Sequence, residues 1–315
     1  MGTFPTPVQR LSLPGLSRPL WIKRDDLSAA HLGGNKVRSL EFLLGGLRRG
    51  DLVLTAGGKG STHVLATAAH ARALGIRSRA VLWRHDMHPI ATAVEERSCV
   101  ECERVDTTRG PVSGIARALM TRIQLSGNAR VRWIPPGGSS ALGVLGHVNA
   151  ALELADQVAR GEMPAPARVF VPLGTGGTCA GLLLGFQIAG LETVVVGVRV
   201  VPRIAGNERR VLRLVRSASR LIERYTGERI PGFRSGSLQV VHSYYGGAYG
   251  RPHRLASGAA AALLSAHGVR LDDTYSAKAF AAAFDTARMT SEEKTVILFW
   301  HTFDARWLGD SASQL

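Results

Sequence analysis

The sequence predicts an α/β fold built on largely parallel sheet, and three observations carry that expectation. Short apolar or β-branched runs alternate with Ala- and Leu-rich stretches along the chain. Four of the junctions that open a helix are glycine-rich, which is where folds of this class bring backbone close to a ligand. The 315 residues, 45% of them hydrophobic, suffice for two domains or one large unit, and neither a repeat nor a low-complexity linker divides them. Two domains would have to share the chain by crossing back and forth.

Taken in order, the first strand is expected at 20–22, the apolar Leu-Trp-Ile between Pro19 and Lys23. A helix over 36–47 follows the Gly33-Gly34-Asn35 turn, and a strand at 52–55 ends in Gly57-Gly58. The Ala-rich 63–74 reads as helix and 78–82 as strand. The strand 131–134 stops at Pro135-Pro136, and the Gly137-Gly138-Ser139-Ser140 turn leads to a helix over 143–159. Strand 168–172 runs through Gly174-Thr175-Gly176-Gly177 into a helix over 178–189, and strand 193–199 follows. Residues 180–198 are the most apolar stretch, but Gln187 and Glu192 interrupt it, so a buried helix running into a strand is expected and no membrane span. Helices at 258–267 and 276–286 and a strand at 295–300 complete the alternation.

The net charge is +15, with 34 Arg and only five Lys. Nine Arg fall within 203–234, and Arg209, Arg213, Arg216, Arg220 and Arg224 recur every three or four residues between apolar positions. That spacing predicts an amphipathic helix with a basic face turned to solvent. No aromatic ladder or groove-reading motif accompanies it, so nucleic acid is not an expected partner. The opening residues lack a basic start and an apolar run, and three cysteines cannot staple a chain of this length, so a cytoplasmic protein is expected. Cys99 and Cys102 form a CxxC without a second half and are read as two thiols rather than a metal site.

Two features carry chemistry. The Gly174–Thr178 turn offers free helix-start amides and two threonine hydroxyls, a cup suited to one phosphate. As a dinucleotide fingerprint it is imperfect, because no acidic residue stands at the end of the next strand. Among the lysines, Lys23 lies in a charged strand, Lys278 on a helix and Lys294 in a surface turn. Lys59 sits in GGKGST, whose spacing is wrong for a P-loop. Lys36 begins a helix behind two glycines and an asparagine, as either a surface amine or one aimed into a pocket for Schiff-base chemistry. A Schiff-base lysine and a phosphate cup in one chain point to pyridoxal 5'-phosphate.

Segments spread over about residues 6–304 carry a resemblance: LWIKRDDL, GGNKVRSLEFLL, TAGGKGSTHVLATAA, IPPGGSSALGVLGHVNAALEL, PLGTGGTCAGLLLGF, GGAYGRP and LDDTYSAKAF. In that order they resemble the D-cysteine desulfhydrase and 1-aminocyclopropane-1-carboxylate deaminase family of fold-type II pyridoxal-phosphate enzymes. The resemblance implies two domains, each an open twisted parallel sheet flanked by helices, with the cofactor between them. Residues 1–38 and 147–315 would form the large domain and 39–146 the small one, in a homodimer. It implies Lys36 as the Schiff-base lysine, with Asn35, Thr62, Gly174, Thr175, Gly176, Gly177, Thr178 and Ser276 at the cofactor. Ser61, Tyr249 and Tyr275 would orient a small amino-acid substrate and manage protons, and His63 matches the family as either a packed or an active-site histidine.

Ser276 stands where the deaminase subgroup has glutamate facing the pyridine nitrogen. A neutral hydroxyl makes a weaker electron sink, which suits β-elimination or β-replacement better than opening a cyclopropane ring. A desulfhydrase-like lyase yielding keto acid, ammonia and sulfide is therefore expected, with ring opening or an altered family member with a specialised substrate as alternatives. Gly60, Thr62, Leu65, Phe303 and Asp304 depart from the family pattern, all near the expected pocket. A binding protein that uses the arginine face is the rival from another class.

Overall fold

A computed structural model of the chain describes residues 1–16, 20–85, 89–125, 130–232, 234–289 and 295–308. Lys294 and the turn expected around it lie outside the described residues. The chain forms two sheets. The first contains β1 (Val8–Leu11), β2 (Leu20–Arg24), β7 (Arg168–Leu173), β8 (Val194–Arg199), β9 (Leu238–Val241) and β10 (Ile297–His301). Its order is β1-β2-β10-β7-β8-β9, parallel throughout except for β1 against β2. The second contains β3 (Leu52–Gly58), β4 (Arg77–Trp83), β5 (Arg104–Thr108) and β6 (Val131–Ile134), all parallel in the order β5-β4-β3-β6.

Parallel strands need long crossovers, and helices supply them. In chain order these are α1 (Asn35–Leu44), α2 (Thr62–Ala73), α3 (Pro89–Glu101), α4 (Pro111–Leu125), α5 (Ala141–Ala159), α6 (Gly177–Ala189), α7 (Glu208–Thr226), α8 (Arg254–His267) and α9 (Ser276–Met289). One face of the large sheet packs Val169, Val171 and Trp300 against Val148, Leu154, Leu182 and Phe186 of α5 and α6. The other packs Phe170 and Phe299 against Ala259, Leu263, Ala279, Phe280 and Ala283 of α8 and α9. Between these layers β10 is buried along its whole length and α6 is buried on nearly every side, so the most apolar stretch of the sequence is core helix and core strand.

The expected mixed α/β fold with parallel sheets flanked by helices is observed. The sequence reading omitted β1, β5, β9, α3 and α4. The three strands are sheet edges with few buried positions, so they lack a strong apolar run. On α4 several large apolar residues, Val112, Leu119, Met120 and Ile123, are exposed rather than buried. The basic helix forms as α7, with Val211, Val215 and Ala218 buried and the five periodic arginines exposed. Among the described residues no helix is long and apolar enough to cross a membrane.

Candidate active site

Lys36 is positioned by the junction between the end of β10 and the start of α1. The Asn35 amide donates to the Thr302 carbonyl at 2.9 Å, and Ser28 Oγ both accepts from the Gly34 amide at 2.9 Å and donates to the Gly34 carbonyl at 3.0 Å. Gly34 is required here: its φ is +126°, and a Cβ would stand 2.6 Å from the Thr302 oxygen. One turn on, Arg38 grips Asp25 through Nε at 2.9 Å and Nη2 at 2.7 Å, and Glu153 of α5 through Nη1 at 2.9 Å. Trp300 of β10 adds its indole N–H to Asp25 at 2.7 Å.

The lysines separate by what surrounds them. Lys23 is buried against Glu153, and Lys59 pairs with Glu95 at 2.6 Å. Lys36 is half-buried, and its Nζ reaches only the Gly137 carbonyl, at 3.5 Å; among the described residues it has no carboxylate partner. Burial lowers its pKa to about 8, with a small opposing contribution from Cys179. An amine poised this way has a usable unprotonated fraction slightly above neutrality and is about half free near pH 8.

Across from it lies the loop between β7 and α6. Gly176 has a φ of +94°, and α6 starts without a side-chain cap, so its first amides are open to an acceptor. A Cβ at Gly174 would meet no atom within 4 Å, which leaves backbone facing open space. Ser139 Oγ and Thr175 Oγ1 are 2.6 Å apart, and Arg210 of α7 donates Nε–H to the Thr175 carbonyl at 3.0 Å. Asn35 Nδ2 donates to Thr178 Oγ1 at 2.7 Å and so joins the lysine helix to the loop.

One cleft is lined by Asn35, Lys36, Thr62, the Gly174–Thr178 loop and Tyr275, so five predicted features meet there. Thr62 and the Tyr275 phenol line the same cleft, and the Tyr275 and Tyr249 hydroxyls hydrogen-bond each other with rings tilted at 73°. Burial pushes Tyr275 up to about 12, and burial together with the neighbouring phenol holds Tyr249 well above the usual range. Ser276 is fully buried, and its Oγ has no hydrogen-bond partner among the described residues.

Ser61, Tyr249 and Ser276 are not among the residues lining the cleft: Ser61 precedes α2 beside Gly57, Tyr249 adjoins it through the Tyr275 phenol, and Ser276 follows Tyr275 in the chain. His63 is a packed residue. Its Nε2 is 3.1 Å from Thr55 Oγ1, which itself donates to the Ile134 carbonyl at 2.9 Å. Burial, helped by Lys36, pushes its pKa down to about 3, so it is neutral at physiological pH.

The departures divide in two. Thr62, Leu65 and Phe303 line the space beside Lys36. Gly60 instead packs on α3, where with φ +68° a Cβ would stand 2.6 Å from the Ala91 carbonyl oxygen, and Asp304 pairs with Arg306 at 2.7 Å. These two are not among the residues lining the cleft, although both lie near residues that do: Asp304 follows Phe303 in the chain, and Gly60 is two positions before Thr62. His85 escaped the sequence reading. Its ring meets Tyr249 edge-on at 5.0 Å, and its Nε2 lies 2.7 Å from the Lys59 carbonyl oxygen. A lone histidine after a strand gives no sign of such a partner 164 residues away.

These residues fit pyridoxal phosphate. The 174–178 loop would hold the phosphate, Lys36 would meet the aldehyde carbon, and Ser276 would meet the ring nitrogen. A buried hydroxyl without a partner costs about 1–3 kcal/mol, so a polar ring atom at Ser276 would remove a penalty the chain otherwise carries.

The comparisons agree with this geometry. A family profile described as pyridoxal-phosphate dependent enzyme matches residues 1–302. D-Cysteine desulfhydrase of Salmonella choleraesuis (strain SC-B67) is 35% identical over 317 residues, covering 95% of this chain and 91% of that protein. The crystal structure of an ACC deaminase homologue superposes with a TM-score of 0.78 at 29% identity, covering 99% of this chain and 94% of that one. An O-ureido-L-serine synthase, at 16% identity and a TM-score of 0.66 over 96% of this chain and 90% of that one, shares the fold. With a family match over residues 1–302 and 35% identity to a desulfhydrase over 95% of the chain, the protein belongs to the pyridoxal-phosphate dependent enzymes.

Proposed function

We propose that the chain is a lyase that removes the β-substituent of a small amino acid in the manner of a D-cysteine desulfhydrase, leaving keto acid, ammonia and, from cysteine, sulfide. The observation that carries this reading is the half-buried Lys36 amine facing the 174–178 loop across one cleft, without a carboxylate partner among the described residues. When bound, pyridoxal phosphate holds the substrate nitrogen and withdraws electrons from Cα. Lys36 then serves as the base for the Cα proton, since its pKa of about 8 leaves a usable unprotonated fraction near neutrality. The β-substituent leaves with its electron pair, and water releases keto acid and ammonia. Tyr249 and Tyr275, kept protonated, donate hydrogen bonds to the substrate carboxylate or the departing group. Ser276 offers the ring nitrogen a neutral hydroxyl, which favours elimination over ring opening.

A specialised substrate is the second reading. Leu32, Leu65, Ala66 and Phe303 line the side of Lys36 toward α2, so an uncharged β-substituent suits the space better than a charged one. We assign residues 39–146 to a small domain around the β3–β6 sheet and 1–38 with 147–315 to the large one. We also infer a homodimer in a reducing cytoplasm, supported by the family and by three free cysteines. The test is the absorbance of the purified protein with pyridoxal phosphate, then sulfide and keto-acid release from D-cysteine, L-cysteine, β-chloroalanine and the cyclopropane amino acid. A cofactor band that needs Lys36 and product from a β-substituted substrate are expected. Product from the cyclopropane alone, or a Lys36→Ala protein of unchanged activity, overturns the reading.

A further inference from the structure

Lys278 lies in the first turn of α9 and is fully buried, yet the chemistry above does not use it. Its Nζ donates to the Tyr245 carbonyl at 3.2 Å. The acids that act on it, Asp272 and Asp273, stand at the entrance to the same helix. Asp272 also caps that helix, accepting from the Tyr275 amide at 2.7 Å and the Ser276 amide at 3.0 Å. Lys278 thus joins the start of α9, which Tyr275 immediately precedes, to the loop that carries Tyr249.

Polar anchors hold that loop at its near end, and ring contacts hold Tyr249 against His85 and Tyr275. Arg199 Nε donates to His242 Nδ1 at 2.8 Å, its guanidinium lies 4.1 Å from the centre of the Tyr245 ring, and Tyr244 donates to Asp285 at 2.6 Å. Beyond Tyr245 the backbone runs through Gly246, Gly247 and Gly250 at φ of +72°, +86° and +76°. Such glycines leave Tyr249 dependent on the anchor at Tyr245 and on its contacts with Tyr275 and the His85 ring. A fully buried lysine is costly where a methionine would fill the same volume, so its polar contacts call for a role.

We propose that Lys278 is a positioning residue: its buried ammonium ties the Tyr249 loop to the start of α9 and sets how the two phenols meet. The proposal rests on the reading of these tyrosines as substrate-facing. Burial lowers the amine to about 8 against the pull of Asp272 and Asp273, so the tie is strongest below that pH.

The test is a double-mutant cycle on the holoenzyme with Lys278→Met and Tyr249→Phe, read by kcat/KM and by the ultraviolet absorbance change of phenol ionisation. Lys278→Met alone is expected to lower kcat/KM about tenfold or more, but less than about threefold once Tyr249→Phe is present, because the two act through one contact. Phenol ionisation in Lys278→Met is expected to begin at lower pH, as the loosened loop admits water. Equal losses in both backgrounds with an unchanged phenol titration overturn the proposal and leave Lys278 a core filler. If Tyr249→Phe is itself fully active, the reading of the tyrosines fails, and the phenol titration alone decides on Lys278. Should Lys278→Met not accumulate as folded protein, Lys278→Gln is taken through the same two measurements.

Discussion

At the residue scale the site depends on which cations are neutralised. Arg38, two residues from Lys36, is saturated by Asp25 and Glu153, whereas Lys36 meets one carbonyl oxygen. Lys36→Ala is therefore expected to lower turnover by roughly 10²–10⁴-fold while the fold persists, checked by product assay beside circular dichroism. Covalent capture of pyridoxal phosphate by apoprotein should accelerate as pH rises through about 8, where the amine loses its proton, and level off above it; a stopped-flow series across that range reads this directly. Arg38→Ala takes the guanidinium from the fully buried Asp25 carboxylate, while Glu153 keeps Lys23, and should cost about 3–5 kcal/mol in urea unfolding. The sequence displayed Lys36 through its glycines. It displayed Tyr249, Tyr275 and Ser276 only through family resemblance, because nothing near a tyrosine in sequence reveals a phenol partner 26 positions away. Arg210 and His85 were invisible for the same reason, since their partners come from other elements.

At the scale of elements, loops packed on each other hold the cup. Gly137 has a φ of +72°, and a Cβ there would stand 2.0 Å from Thr175 Oγ1, whereas Gly190 has a φ of +70° with no atom within 4 Å. Gly137→Ala should therefore weaken cofactor affinity through a displaced Thr175. Gly190→Ala should cost only the left-handed backbone strain, about 1–2 kcal/mol, with affinity unchanged. Cofactor titration and thermal melts of both proteins separate the two effects. Elements were legible where they are buried: the glycine-rich junctions, α6 and the central strands all announce themselves. The edge strands β1, β5 and β9 and the helix α4 did not, since few of their positions are buried; β6, also an edge, was legible from its apolar run stopping at Pro135-Pro136.

For the whole molecule, two buried histidines couple stability to acidity. Burial, with Lys36 adding to it, lowers His63 and His147 to about 3 from an ordinary value of 6.5. Between those values the unfolded chain binds protons that the folded one refuses, so stability falls as pH drops below 6.5. Each histidine contributes a slope of about 1.4 kcal/mol per pH unit there. Asp26 adds to the loss at the acid end: burial alone would raise it, but the His301 ring 3.1 Å away and the hydrogen bonds from Arg24 hold it at about 2, so its contribution fades from about pH 4 to 2. Urea unfolding of His63→Gln and His147→Gln across pH 4–7 should show the slope shrinking with each substitution.

The seam between the start of α1 and Thr302 also orders events in time. The lysine lies near the beginning of the chain, but the carbonyl that fixes its helix follows β10, which threads between β2 and β7. During translation the first two hundred residues can emerge with lysine and glycine cup already made, yet the ribosome must deliver residue 302 before the two are locked in place. Nascent chains stalled short of β10 should leave pyridoxal phosphate unbound, and chains stalled far enough past it should capture it. The cofactor would then enter as the last strand slides home.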